Sequence, residues 1–251
     1  MPTAPLNFIH LEEAKSTNTY LLRQAQDLPD RTVVYTWRQT AGRGQKGNSW
    51  ESEPGMNLAF SLLLKRPPVE IKKQFCISEA VSIAICDCLS PFADGFKVKW
   101  PNDIYHHDRK ICGILIENSL EGTKIAHSVI GVGININQTL FVSDAPNPVS
   151  LKQITGDGYD LDQLLHDVCR RMSDLCQFEP EQLAALHSRY MQCLYRNNGH
   201  RYPWQLPDGT RFEAVIDHVA PDGMLTLRHA DGSLRSYAFK EVKHIINNIT
   251  L

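Results

Sequence analysis

No Cys-x-x-Cys pair occurs in this chain, and its seven cysteines (Cys76, Cys86, Cys88, Cys112, Cys169, Cys176 and Cys193) are odd in number and scattered. That spacing excludes a regular disulfide framework and a thiolate zinc site. Cysteines inside apolar runs act as small hydrophobes, which fits a reducing compartment. No apolar stretch approaches the ~18 residues of a membrane span. The start, Met1-Pro2-Thr3-Ala4-Pro5, lacks the basic residues and apolar run of a secretion signal. The expectation is a soluble, cytoplasmic protein with no membrane partner. Neither sign of charge is in excess: 26 Lys+Arg stand against 28 Asp+Glu, for a formal net charge of -2. That balance argues against a dedicated DNA binder and leaves room for a local basic cleft. The chain also has no Walker phosphate loop, no His-Glu-x-x-His, no EF-hand pattern and no Ser/His/Asp grouping, so no metal-ligating residues are expected.

What remains is ordinary globular material: 251 residues, 42% hydrophobic and 22% charged, enough for one large domain or a main domain with a small appendage. Phe8–Leu11 reads as a short strand, and Ser16-Thr17-Asn18 as the cap of a helix running to about Gln26. Further strands are expected at Thr32–Trp37, Asn57–Leu64, Gly95–Trp100, Ile111–Asn118 and Ile125–Asn135. Helical spacing of apolar residues marks a deeply buried helix within Ile71–Leu89, an amphipathic one from Leu161 to Cys176, and another from Pro180 to about Tyr195. His106-His107 reads as an exposed hairpin turn. After Asn197-Asn198-Gly199 the composition changes: Pro207-Asp208-Gly209, Pro221-Asp222-Gly223 and Ala230-Asp231-Gly232 punctuate short β-rich runs. The layout is α/β or α+β with an appended small barrel, divided as 1–198 and 199–251.

Two stretches carry the chemistry. Gly42-Arg43-Gly44-Gln45-Lys46-Gly47-Asn48-Ser49-Trp50 combines glycines, which let a ligand approach backbone N–H groups, with two cations suited to phosphate. It matches the string Gly-x-Gly-x-x-Gly, but no apolar helical face follows it, so it is not a dinucleotide fingerprint. Taken alone it reads equally well as a flexible surface loop. Phe96 to Asp103 alternates apolar Phe96, Val98 and Trp100 with Lys97 and Lys99, giving a strand with one basic face. Arg109-Lys110 follows closely. A cationic, glycine-lined site with little obvious nucleophile favours chemistry at a phosphorus or acyl-phosphate centre, driven by charge neutralisation and positioning.

The chain resembles the biotin–protein ligases. The resemblance is carried by Ser16-Thr17-Asn18, Gln39-Thr40-Ala41-Gly42-Arg43-Gly44, Trp50, Lys99-Trp100-Pro101-Asn102-Asp103, Asp108-Arg109-Lys110-Ile111-Cys112-Gly113-Ile114-Leu115 and Gly131-Val132-Gly133-Ile134-Asn135, in the family's order and spacing. It implies an α+β fold: a class II synthetase-like catalytic domain with a mixed sheet and flanking helices, plus a C-terminal SH3-like β-barrel. It also implies a two-step reaction in which biotin and ATP, with Mg2+, give biotinyl-5′-AMP, and a lysine of a biotin carboxyl carrier protein then takes the biotin. By this resemblance Ser16, Thr17, Asn18 and Gln39 hold the ureido head of biotin, and Gly42, Arg43, Gly44 and Gln45 close over the adenylate. Trp50 packs near adenine, Lys99 and Asn102 belong to the binding set, and Gly113 and Asn135 line the pocket. Lys110 and Arg43 offset charge during adenylation, and Asp103 orients the incoming lysine.

Two departures shape the expectation. The family often has arginine where Gln45 stands, and a glutamine neutralises nothing, so adenylate retention depends on what else is near, Lys46 included. The pattern begins by residue 8, which implies the ligase without a DNA-binding repressor domain; a homodimer is compatible with it. The rival readings are a lipoate or octanoate ligase, whose usual Arg-Arg-x-Ser-Gly-Gly-Gly string is absent, and a non-enzymatic biotin sensor.

Overall fold

The computed structural model describes residues 5–45, 47–143 and 147–246. In chain order it runs β1 (Asn7–His10), α1 (Thr17–Gln24), β2 (Thr32–Tyr35), β3 (Gly42–Arg43), β4 (Ser49–Trp50), β5 (Asn57–Lys65), α2 (Phe75–Leu89), β6 (Phe96–Lys99), β7 (Asp103–His106), β8 (Arg109–Glu121) and β9 (Lys124–Asn135). Then come α3 (Leu151–Thr155), α4 (Leu161–Leu175), α5 (Pro180–Cys193), β10 (Tyr202–Gln205), β11 (Arg211–Val219), β12 (Leu225–His229), β13 (Leu234–Tyr237) and β14 (Lys243–His244).

Seven strands form one sheet in the order β1-β2-β5-β9-β8-β7-β6. The β1–β2 pair is parallel and the others are antiparallel, so the sheet is mixed as expected. Side chains alternate between faces along a strand, and both faces of β5 are covered. Leu58, Phe60, Leu62 and Leu64 point into the large core shared with α2 and α4, whereas Leu63 joins Leu21, Ala25, Val34 and Val129 under α1. Helix α2 is buried nearly all round, Cys76 to Leu89 excepting Asp87, as its apolar residues on several sides require.

The C-terminal strands form a five-stranded antiparallel sheet in the order β13-β12-β11-β10-β14. No pairing of β13 with β14 closes it among the described residues. Trp204, Ala214, Ile216, Val219, Leu225 and Leu227 from this sheet continue the same core as α2 and β5. Trp100 pins the two sheets together, its indole N–H donating to Gly223 O at 2.9 Å.

Several local expectations are corrected. Helix α1 ends at Gln24, and β8 extends in both directions beyond Ile111–Asn118. The ends of the glycine-rich loop pair as a minimal hairpin, Gly42 with Trp50 and Arg43 with Ser49. His106 is not an exposed turn residue: it ends β7, is 9% exposed, and lies against Phe96 at 5.1 Å between ring centres. Only His107, at φ 51°, is in the turn.

Candidate functional site

The site rests on the α1 side of the large sheet, where register removes side chains. Gly113 of β8 pairs with Gly133 of β9, and Leu115 pairs with Gly131, which in turn pairs with Ser61 of β5. The intervening Ile114, Val132 and Ile134 point the other way into the core. The result is a trough floored by backbone. A β-carbon on Gly131 would collide with the side-chain amide of Asn18, and one on Gly113 would come within 2.9 Å of the Trp50 ring. Three glycines on one face therefore make the space that two other side chains occupy.

Helix α1 closes one end of the trough. Ser16 is its N-cap, with Oγ accepting from Thr19 N at 3.4 Å. The next two residues turn inward, and all three are buried. Thr17 N donates to Gln39 Oε1 at 3.1 Å, and Ser61 Oγ donates to Asn18 Oδ1 at 2.5 Å while standing 2.7 Å from Thr17 Oγ1. Asn18 Nδ2 donates to Leu115 O at 3.1 Å and to Glu117 Oε2 at 2.9 Å. The capping and pocket readings of Ser16-Thr17-Asn18 hold together, because the cap places the following two side chains in the trough.

Cations line the same cleft, Arg43 and Lys110 each held by a carboxylate. Arg43 Nη2 lies 2.5 Å from Glu117 Oε2, and Lys110 Nζ lies 2.7 Å from Asp103 Oδ1 and 5.6 Å from the centre of the Trp50 ring. Lys99 Nζ sits 5.0 Å from the centre of the Tyr105 ring. Burial pushes the Lys99 ammonium below the usual lysine range; Asp103 opposes that shift, and Lys110 and Arg196 add to it. Asn102 donates its amide to Ile114 O and so holds the turn before Asp103 onto β8.

Ser16, Thr17, Asn18, Gln39, Arg43, Gly44, Gln45, Trp50, Lys99, Asn102, Asp103, Lys110 and Gly113 all line one cleft. Gly42 begins the glycine-rich loop beside it, where a β-carbon would press on the Trp50 carbonyl oxygen at 2.5 Å and on Gln39 Nε2 at 2.8 Å. Asn135 lies apart, in an adjoining cavity that shares Trp50, Lys99, Asp103 and Lys110 with the first. The Trp50 indole thus stands between two compartments. Lys46 lies outside the described residues. Three buried polar atoms among these residues have no hydrogen-bond partner among the described residues: Gln45 Oε1, Trp50 Nε1 and Asn135 Oδ1. Unpaired buried polar atoms are costly, so each of these atoms could accept or donate a hydrogen bond to a ligand.

Sequence reasoning missed Ser61, Glu117 and Gly131, together with Trp204, Phe239 and His244, which the C-terminal sheet contributes to the cleft. Ser61 carried a signal, a lone hydroxyl inside the apolar run Asn57-Leu58-Ala59-Phe60-Ser61-Leu62-Leu63-Leu64. Gly131 also did, because Gly131-Val132-Gly133-Ile134 empties alternate positions of a strand. Glu117 and the C-terminal residues carried none, since only the fold brings them here.

Comparison with known proteins identifies the family. The family model described as Biotin/lipoate A/B protein ligase matches residues 11–135. The chain is 31% identical over 162 residues to the biotin–[acetyl-CoA-carboxylase] ligase of Paracoccus denitrificans, covering 62% of this chain and 67% of that protein. The chain belongs to the biotin/lipoate protein ligase family. It is also 33% identical over 181 residues to the bifunctional ligase/repressor BirA of Escherichia coli, covering 70% of this chain and 55% of that one. It spans between 41% and 55% of the length of the BirA proteins it matches. Among solved structures, the biotin protein ligase of Aquifex aeolicus in complex with biotin and ATP superposes with a TM-score of 0.76 over 95% of this chain and 99% of that one, at 24% identity. At that identity the likeness speaks for the fold. Among the described residues, no helix is long and apolar enough to cross a membrane.

Proposed function

We propose that this chain is a biotin–protein ligase that activates biotin with ATP and transfers it to a lysine of a biotin carboxyl carrier protein, working in the cytoplasm. The observation that carries the reading is the joining, in one cleft, of a buried hydroxyl and amide cluster at the head of α1 with the cations Arg43, Lys99 and Lys110. The first suits a neutral polar head group and the second an anion. That relatives of the chain are named as biotin–[acetyl-CoA-carboxylase] ligases favours biotin over a lipoyl or octanoyl chain.

In the first step a biotin carboxylate oxygen bonds to the α-phosphorus of ATP and the bond to pyrophosphate breaks. Two anions must approach, so the step needs cationic groups already in place. Lys110 and Arg43 are the groups assigned to this. In the second step an acceptor amine attacks the acyl carbon, loses a proton, and AMP leaves. Asp103 is assigned to guide the ammonium of that lysine, and Trp50, at the wall between the two compartments, to bound the nucleotide. Magnesium would enter on the nucleotide: among the described residues no three His, Cys, Asp or Glu groups converge as a cage, and this ion is commonly held by substrate phosphates.

Thermal unfolding tests the reading. Biotin and MgATP together are expected to stabilise the protein more than either alone, since ligands bound only by the native state add roughly 2.7 kcal/mol at a hundredfold excess over Kd. Lipoate with MgATP should do much less. No shift with biotin and MgATP, or an equal shift with lipoate, would overturn it.

A further inference from the structure

Glu117 ties helix α1 to the glycine-rich loop through a single carboxylate oxygen. Its Oε2 accepts from Asn18 Nδ2 at 2.9 Å, on the helix that closes the head-group end, and from Arg43 Nη2 at 2.5 Å, on the glycine-rich loop. Register brings it there: Glu117 lies two and four residues beyond Leu115 and Gly113 on the same face of β8, and its partner across the sheet is Val129. The Arg43 and Glu117 side chains are 40% and 28% exposed, so water already weakens their attraction.

A carboxylate on the guanidinium assigned to a ligand anion competes with that anion. We propose that Glu117 is a positioning residue with two tasks: it keeps the Asn18 amide oriented, and it holds Arg43 at the cleft until a phosphate-bearing ligand takes the guanidinium over. The inference rests on the reading of the chain as an adenylate-forming biotin ligase. The exchange is chemically reasonable because a phosphate offers arginine a bidentate, charge-assisted pair, whereas Glu117 offers one oxygen that it already shares with Asn18. Leu115 O still holds Asn18 when Arg43 departs. Phosphate binding to Arg43 would thereby release the Glu117 oxygen to Asn18 alone, tightening the neighbouring polar cluster.

Calorimetric titration of the full chain with biotin, and with a phosphodiester analogue of biotinyl-5′-AMP in which the acyl carbonyl is reduced, tests this. Glu117→Gln keeps an oxygen for Asn18 but offers the guanidinium no charge. It should bind the analogue about three- to fivefold more tightly, the strength of a half-exposed ion pair, with biotin changed by less than about twofold on the same scale. Glu117→Ala, which removes the acceptor of Asn18, should weaken biotin severalfold. In an Arg43→Ala background Glu117→Gln should no longer change analogue affinity, because the effect runs through Arg43. Analogue binding that is unchanged or weaker in Glu117→Gln would overturn the proposal, as would a gain that persists without Arg43. Wild-type protein that binds neither biotin nor analogue would instead remove the biotin-ligase reading, and the proposal with it.

Discussion

Lys110 Nζ and Asp103 Oδ1 stand 2.7 Å apart, on adjacent strands β8 and β7, with side chains 23% and 19% exposed. The two residues assigned to successive steps are thus bound to each other before any ligand arrives. For Lys110 to meet a carboxylate and an α-phosphate it must share or leave Asp103, which frees an acid for the acceptor ammonium. Lys110→Ala is expected to slow biotin-dependent pyrophosphate exchange by about 10²–10³, the usual cost of one well-placed electrostatic group. Asp103→Asn should retain more of that exchange and lose more of the transfer to carrier lysine. Equal losses in both assays for both variants would show that the pair acts as one structural unit.

Gly131→Ala is expected to weaken biotin binding by at least about tenfold, with overpacking costing about 1–3 kcal/mol of stability. The new β-carbon would occupy the place of the Asn18 amide, and displacing Asn18 disturbs its bonds to Ser61, Leu115 and Glu117. Calorimetric titration with biotin, beside thermal unfolding of the same variant, checks it. Wild-type affinity would show that the Asn18 amide does not touch the ligand.

Gln45 lines the cleft with its Oε1 buried and without a hydrogen-bond partner among the described residues. A neutral amide there can accept or donate one hydrogen bond, whereas arginine would add charge-assisted contacts roughly twice as strong. Gln45→Arg should therefore slow release of biotinyl-5′-AMP severalfold and leave biotin affinity nearly unchanged. Release as fast as wild type, measured by rapid dilution, would show that the loop retains the adenylate by other contacts.

His244 lies in the seam between the sheets, 8% exposed, its ring 3.8 Å from that of Trp204 between centres, and both nitrogens lack a hydrogen-bond partner among the described residues. Burial, followed by the charges of Lys99 and Arg196, pushes its imidazole well below the ordinary range. The folded state is then neutral where the unfolded chain takes up a proton. This contribution to stability is fully present above the unfolded value of about 6.5 and declines as pH falls below it, by up to ~1.4 kcal/mol per pH unit. Denaturant unfolding at pH 7.5 and pH 5 should show a smaller loss for His244→Phe than for wild type. Parallel losses would assign the acid sensitivity to other groups.

Most of the large sheet was legible from residue type. The apolar run of β5, the alternation of Phe96, Val98 and Trp100, and the stripes of α2 and α4 follow directly from what each side chain must bury. The small C-terminal sheet was legible from its turn residues, and Gly209, Gly223 and Gly232 each adopt positive φ at those turns. Element ends were less so, because they depend on partners: β8 runs past Asn118 because β9 pairs with it as far as Glu121.

The sequence by itself determined the chemistry available: the loop glycines, the Arg43 and Lys110 cations, and the polar cluster at the head of α1. Those are properties of residue type and short spacing. Only the tertiary structure decided how they are paired. That Glu117 binds Arg43 across 74 residues of chain, that Trp50 stands between two compartments, and that Asn135 faces the second of them follow from strand order and register. His106 shows the same division, since a histidine beside a turn reads as exposed until the packing of β7 against β6 covers it. Local sequence sets what a residue can do; long-range pairing sets which partner and which solvent exposure it meets, and charge and hydrogen-bond energies depend on both.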